Sequence, residues 1–218
     1  ASYYKHYFDQ SINFVRPKMS DGSWLTPYDP ARSVHGGKGS YFCEGNGWQY
    51  TFFVPQDVYG LINLFGGDKP FLERLNQFFV NNDSMGEEAS ADITGLIGQY
   101  AHGNEPSHHI AYMYAYAGQQ WKTAEKVRFI MDEFYKDTPD GIIGNEDCGQ
   151  MSAWYVLSSM GLYQMNPSDG VYVFGSPRFD KMSVNVRGGK TFTVEAENNT
   201  KENIYIQKVF LNGKPYKK

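Results

Sequence analysis

The hydrophobic pattern of this chain changes period at Pro167, and that change limits what it can fold into. Before it, apolar residues recur at helical spacing. Trp121, Ala124, Val127, Ile130, Met131 and Phe134 make one such stripe, which predicts a helix over 121–135. After it, residues 171–174, 183–186, 191–194 and 204–210 read as short strands, and Asn212-Gly213 is a strong hairpin turn. Lys218 follows that turn so soon that the hairpin is expected to lack a second strand and the chain to be a trimmed part of a longer one. The expected architecture is mainly α: antiparallel helices over 1–166 in helical hairpins or a toroid, then a small antiparallel β segment over 167–218.

Within the helical part, apolar positions Tyr4, Tyr7, Phe8, Ile12 and Val15 predict a first helix, ended by Pro17. Residues 20–50 hold Asp-Gly, Thr-Pro and Asp-Pro steps and the run Gly36-Gly37-Lys38-Gly39. An irregular segment of that length is more often a functional loop than filler. It carries Trp24, Arg32, His35, Glu44 and Trp48. Further helices are expected from Pro55 to about Phe65, from Asp68 to about Val80, from Glu105-Pro106 to Ala117, and over 149–161.

Composition narrows the function. The 218 residues carry a net charge of -4 with no basic run, so nucleic acid is not an expected partner. No run of 18 apolar residues exists to span a membrane. Tyr3, Lys5, His6 and Asp9 break any signal-peptide core, which leaves a cytoplasmic protein or a mature piece of an exported one. Two cysteines, Cys43 and Cys148, form no disulfide framework and are expected to be free thiols. The 17 Tyr, 15 Phe and 4 Trp residues suit flat sugar faces and also simply fill cores.

Three clusters could carry chemistry: 44–50 with Glu44, 104–109 with Asn104, Glu105, His108 and His109, and 145–147 with Glu146 and Asp147. In the last, Pro139, Gly141 and Gly144 punctuate a loop that feeds an apolar helix. Its two acids can therefore act as helix caps, or as a general base or metal ligand held at a helix N-terminus. Carboxylate and amide oxygens together suit a hard cation. Adjacent His108 and His109 complete no zinc set; they read either as hydrogen-bond partners of a sugar or carboxylate, or as core or surface histidines.

Read in order, 41–50 (YFCEGNGWQY), 53–58 (FVPQDV), 103–109 (GNEPSHH) and 139–154 (PDGIIGNEDCGQMSAW) resemble glycoside hydrolase family 92. The resemblance implies a calcium-dependent exo-α-mannosidase, here taken as α-1,2-mannosidase-like, acting with inversion on mannose-containing oligosaccharides and N-glycans. It implies a fold that joins an N-terminal β-sandwich to an (α/α)6 toroid, of which this chain is expected to hold only the later part, without the sandwich and the first toroid helices. By the same resemblance, Glu44 matches the general acid and Asp147 the general base, and Asn104 and Glu105 match the calcium-ligand region. Trp24, Trp48, His108, His109 and Glu146 are expected substrate contacts. The parent protein is expected in the periplasm or outside the cell. Two rival readings share these residues: a non-catalytic, calcium-dependent carbohydrate-binding module, and a toroid glycosidase that needs no metal.

Overall fold

The computed structural model describes residues 2–216. Among these residues six α-helices form, all before residue 160: α1 Gly47–Phe52, α2 Val58–Phe65, α3 Asp68–Phe78, α4 Met113–Tyr116, α5 Gln120–Phe134 and α6 Gln150–Ser159. Ten short strands, again among the described residues, pair two by two and always antiparallel: β1 Phe8–Asp9 with β2 Phe14–Val15, β3 Leu96–Ile97 with β4 Tyr100–Ala101, β5 Leu162–Tyr163 with β6 Val173–Phe174, β7 Lys181–Val186 with β8 Lys190–Glu195, and β9 Phe210–Leu211 with β10 Lys214–Pro215. The β5–β6 ladder straddles Pro167, so the change of hydrophobic period is not a break in pairing.

Aromatic rings fill the core between the helices. Phe52 of α1 lies 6.0 Å from Phe65 of α2 and 5.2 Å from Phe78 of α3, and Phe71 closes the group 5.6 Å from Phe65. Helix α5 buries Ala124, Val127, Ile130 and Met131, as its stripe predicts, while Trp121 at its start is 47% exposed and lies outside that core. Helix α6 turns Met151, Trp154, Ser158 and Ser159 inward. Trp154 stacks nearly parallel to Tyr135, centroids 5.9 Å apart, and meets the His102 ring edge-on at 4.4 Å.

Four expectations differ. The expected first helix is a 3-10 turn at Tyr3–His6 followed by the β1–β2 hairpin. Asp9 decides this: its carboxylate accepts from the backbone and hydroxyl of Ser11 and from Arg16, so a local Asx turn replaces the helix. The helix expected from Glu105 to Ala117 is two 3-10 turns, Glu105–Ser107 and Ile110–Tyr112, before the single turn of α4. At the C-terminal end, Asn212 and Gly213 take the two left-handed conformations of a type I′ turn, and the hairpin has its second strand, Lys214–Pro215. By contrast, residues 204–209, all of them described, form no strand.

One side chain straps the β segment to the helices. Arg128 of α5 is 6% exposed. Its Nε donates to Ser176 Oγ at 3.1 Å, Nη1 reaches the Thr200 carbonyl at 3.5 Å, and Nη2 donates to the Pro177 carbonyl and to Asn199 Oδ1. Arg178 adds an ion pair to Asp132 of α5 at 2.7 Å. The forked guanidinium satisfies four acceptors that a point charge cannot. Arg128→Ala and Arg128→Lys should each cost about 2–3 kcal/mol, read as a lower urea midpoint. An unchanged midpoint in Arg128→Lys contradicts the strap.

Candidate active site

Glu44 is placed by the N-terminus of α1. Asn46 caps that helix: its side chain accepts from Gln49 N at 3.1 Å, and Gln49 Oε1 accepts from Asn46 N at 3.2 Å. Asn46 Nδ2 also donates to the Ala31 carbonyl at 2.9 Å and to Gln99 Oε1 at 2.8 Å. Glu44, two residues before this cap, is half-buried. Its backbone carbonyl accepts from Asn104 Nδ2 at 2.6 Å, which joins the 44–50 cluster to the 104–109 cluster.

Two glycines bring the third cluster in. A Cβ on Gly103 would stand 1.9 Å from Thr94 Oγ1. One on Gly144 would stand 2.8 Å from the same oxygen and 3.1 Å from the Gly103 Cα and carbonyl oxygen, and Gly144 has φ +73°. The Thr94 side chain therefore packs onto the Gly103 backbone, and the Gly103 and Gly144 backbones touch, an approach that a Cβ on either glycine would obstruct. Asn104 and Glu105 follow one side of this seam. Glu146 and Asp147 follow the other.

The two acids of the last cluster divide the roles that spacing leaves open between them. Helix α6 begins at Gln150, and Glu146 caps it: its carboxylate accepts from Ser152 N and Ser152 Oγ, each at 3.0 Å. Asp147 is exposed and its carboxylate accepts no hydrogen bond among the described residues. The residue expected to sit at the helix end thus leaves the capping to its neighbour. Asp147, Cys148 and Gly149 have φ of +51°, +56° and +91°, three left-handed residues in succession, of which two carry a Cβ. Strain of this kind persists only where the surroundings hold it.

The electrostatics follow from this meeting of acids. Burial raises the Glu44 pKa, and the carboxylates of Glu105, Asp92 and Asp147 raise it further; His35 works against them. Three carboxylates besides Glu44 therefore act on one spot. Asn104 is 2% exposed and Glu105 half-buried. With Nδ2 committed to Glu44, the Asn104 oxygen is the free donor atom, and with the Glu105 carboxylate it offers hard oxygen ligands of the kind calcium takes. Among the described residues no group of three or more His, Cys, Asp or Glu side chains could hold a metal by itself.

Known proteins share this fold. The profile of the glycosyl hydrolase family 92 catalytic domain matches residues 1–218. The chain belongs to family 92. A family GH92 α-mannosidase from Bacteroides thetaiotaomicron, solved with mannoimidazole, superposes with a TM-score of 0.90 at 40% identity; the match covers 98% of this chain and 28% of that one. A family GH92 inverting mannosidase from the same organism gives 0.82 at 36% identity, over 99% of this chain and 30% of its own. A protein of Arthroderma benhamiae described as an uncharacterized secreted glycosidase is 33% identical over 94% of this chain and 26% of its own length. The family 92 chain thus spans between a quarter and a third of these relatives.

Not every expected contact residue faces this site. Trp48 is 5% exposed; it packs edge-on against Phe14 at 4.7 Å beneath the Arg74 guanidinium. It is a core residue that offers no ring face to a sugar here. Trp24 is half-buried under Lys18, 4.4 Å from the ring centroid. His109 is 5% exposed and its Nε2 bonds the carbonyl of Phe52, the last residue of α1, at 2.7 Å. His108 is 3% exposed with both ring nitrogens engaged, Nε2 on the His102 carbonyl at 2.9 Å and Nδ1 on Gln150 Nε2 at 3.1 Å. Burial pushes both rings down to about 4, so both are neutral near pH 7. Both histidines hold structure, and neither has the free, solvent-facing ring that a sugar contact needs. Cys43 and Cys148 are free and exposed.

Sequence reasoning missed Asp92, which lies in a loop with no periodicity and meets Glu44 only through the fold. It also missed His102, which is fully buried: Tyr100 Oη bonds Nδ1 at 2.8 Å, and Nε2 bonds Tyr135 Oη, also at 2.8 Å.

The Glu44 pKa sets a stability signature. Folding raises it, so the folded state binds this proton more tightly than the unfolded chain. That contribution is fully present below the unfolded value of about 4.3 and is lost as pH rises through the folded value. Glu44→Gln fixes the neutral form. Its melting temperature should match the parent protein's below about pH 4 and exceed it at pH 7. A variant less stable than the parent at pH 7 contradicts the electrostatic account.

Proposed function

We propose that this chain carries the acid–base pair of an exo-acting, inverting α-mannosidase, with Glu44 as acid and Asp147 as base. What supports the reading, in a chain of family 92, is that the Glu44 carbonyl is bonded by Asn104 beside the seam that Asp147 follows, that Asp147 is among the carboxylates favouring the proton on Glu44, and that no cap claims Asp147. The solved relatives, described as an α-mannosidase and an inverting mannosidase, support terminal α-mannose as the substrate and inversion as the outcome.

In this reading a water attacks the anomeric carbon and gives its proton to Asp147. The bond to the leaving oxygen breaks, and that oxygen takes the proton of Glu44. The sugar leaves as the β-anomer. An inverting pair needs about 6.5–9.5 Å between carboxyls, so that the water fits. Burial, with Glu105 and Asp92 beside it, favours the protonated form of Glu44 that a general acid requires.

Calcium would be held by the Asn104 side-chain oxygen and the Glu105 carboxylate, with sugar hydroxyls and waters filling a shell of about six to eight oxygens. When bound, the ion supplies positive charge that orients the vicinal sugar hydroxyls and favours ring distortion. The helices fit part of an (α/α)6 toroid completed, with a β-sandwich, by the rest of a longer protein. The substrate class is a mannose-containing oligosaccharide or N-glycan, with an α-1,2-linked mannobiose the first to try by the family resemblance. The fungal relative, described as secreted, supports a periplasmic or extracellular location.

The test is kinetic, on an enzyme containing this segment. Glu44→Gln should lower kcat/KM on an α-mannobiose by about 10²–10⁴-fold and spare an activated aryl mannoside in part, because the latter needs little protonation. Asp147→Asn should lower both alike. Proton NMR of the first product should show β-mannose, and a chelator should reduce turnover. Equal losses on both substrates in Glu44→Gln remove the acid assignment, α-mannose as first product removes inversion, and chelator-insensitive turnover favours a metal-independent glycosidase. Calcium-dependent glycan binding without turnover favours the binding module.

A further inference from the structure

We propose that His108 and Gln150 form a positioning clamp that fixes Asp147 against the loop of Asn104 and Glu105. The proposal rests on the reading of Asp147 as base. It assigns no chemistry to the histidine: His108 acts through Asp147 and touches no reacting atom.

The partners of His108 fix its tautomer. Nε2 lies 2.9 Å from the His102 carbonyl, which can only accept, so the ring proton is on Nε2. Nδ1 then has a lone pair, and it receives the Gln150 side-chain amide at 3.1 Å. A single neutral tautomer thereby ties the segment that carries Asn104 and Glu105 to the first residue of α6. The His108 carbonyl makes a second tie to the same helix, accepting from Trp154 Nε1 at 2.9 Å. The buried ring of His102 anchors the other end. Its chain of hydrogen bonds runs one way, from Tyr100 Oη to Nδ1, from Nε2 to Tyr135 Oη, and from Tyr135 Oη to the Met151 carbonyl in the first turn of α6 at 3.1 Å.

Gln150 also closes the loop of the base. Its backbone N–H donates to the Asp147 carbonyl at 3.1 Å, so side chain and main chain of one residue link His108 to Asp147. Between them stand the left-handed residues Asp147, Cys148 and Gly149. Two of the three carry a Cβ and relax unless held. The ring that holds them is out of water and neutral near pH 7, which keeps Nδ1 an acceptor.

The test compares variants of the enzyme that contains this chain. Gln150→Met keeps shape and helix propensity and removes the donor. It should lower kcat on an aryl α-mannoside about 10–100-fold, as expected for a base misplaced by about 1 Å. KM should stay close to the parent's, and the melting temperature should fall only by the few degrees that one unpaired buried acceptor costs. His108→Leu should lose as much or more. His108→Gln, which can still donate to the His102 carbonyl and accept from Gln150, should recover part of it. Imidazole nitrogen NMR should place the His108 proton on Nε2. The clamp is overturned by parent-like kcat in Gln150→Met, by losses that merely track melting temperature across all three variants, or by a proton on Nδ1. Asp147→Asn separates the two claims. If it is inactive while Gln150→Met is normal, only the clamp fails; if it is active, the reading of Asp147 fails and the clamp's role with it.

Discussion

The site depends on the close approach of the Thr94 side chain to the backbones of Gly103 and Gly144. Its condition is the absence of two Cβ atoms, one of which would sit 1.9 Å and the other 2.8 Å from Thr94 Oγ1. Around it the protein is over-determined. The Ile143 N–H is bound to the Phe134 carbonyl at the end of α5, and the Gly103 N–H to the Thr94 carbonyl at 3.0 Å. Asn104, one residue past the seam, donates to the Glu44 carbonyl. Carboxylates from distant parts of the chain thus come to bear on one another.

Bringing like charges together opposes folding, and the structure offsets this with neutral, hydrogen-bonded groups behind them. Asn46, Gln49 and Gln99 exchange hydrogen bonds among themselves under Glu44. The histidines behind the seam are uncharged. A polar network of this kind adds rigidity only when every member is satisfied. Here each ring nitrogen of His102 and His108 has a partner. The remaining strain is concentrated at Asp147 and Cys148, the stretch that presents the proposed base.

Much of this is legible in the sequence where the cause is local. The α5 stripe, the stop of α2 at Gly66, and the Asn212-Gly213 turn depend on neighbours within a few residues, and each is found. The ordered motifs around Glu44, Asn104 and Asp147 also name the loops that meet. What spacing could not divide was the labour inside a motif. Glu146 and Asp147 are adjacent acids, and only the direction of the chain entering α6 hands the capping to Glu146. Trp48 read as a loop aromatic because nothing local reports Phe14, Arg74 and Phe78 closing over it. Asp92 and His102 carry no periodic signal, since their roles exist only across the fold.

The most direct measurement of the central claim is a double-mutant cycle on the seam, Gly103→Ala and Thr94→Ala, read in kcat/KM and melting temperature. Thr94 Oγ1 is buried without a hydrogen-bond partner among the described residues, so its removal alone leaves no acceptor or donor stranded. The account predicts that Gly103→Ala alone loses stability and on the order of 10²-fold in kcat/KM, as loops that must part by about 1 Å misplace the acids. It also predicts that Thr94→Ala, by vacating the space the new methyl needs, restores most of both. A Gly103→Ala protein with parent-like activity, or a double variant no better than the single one, would contradict it.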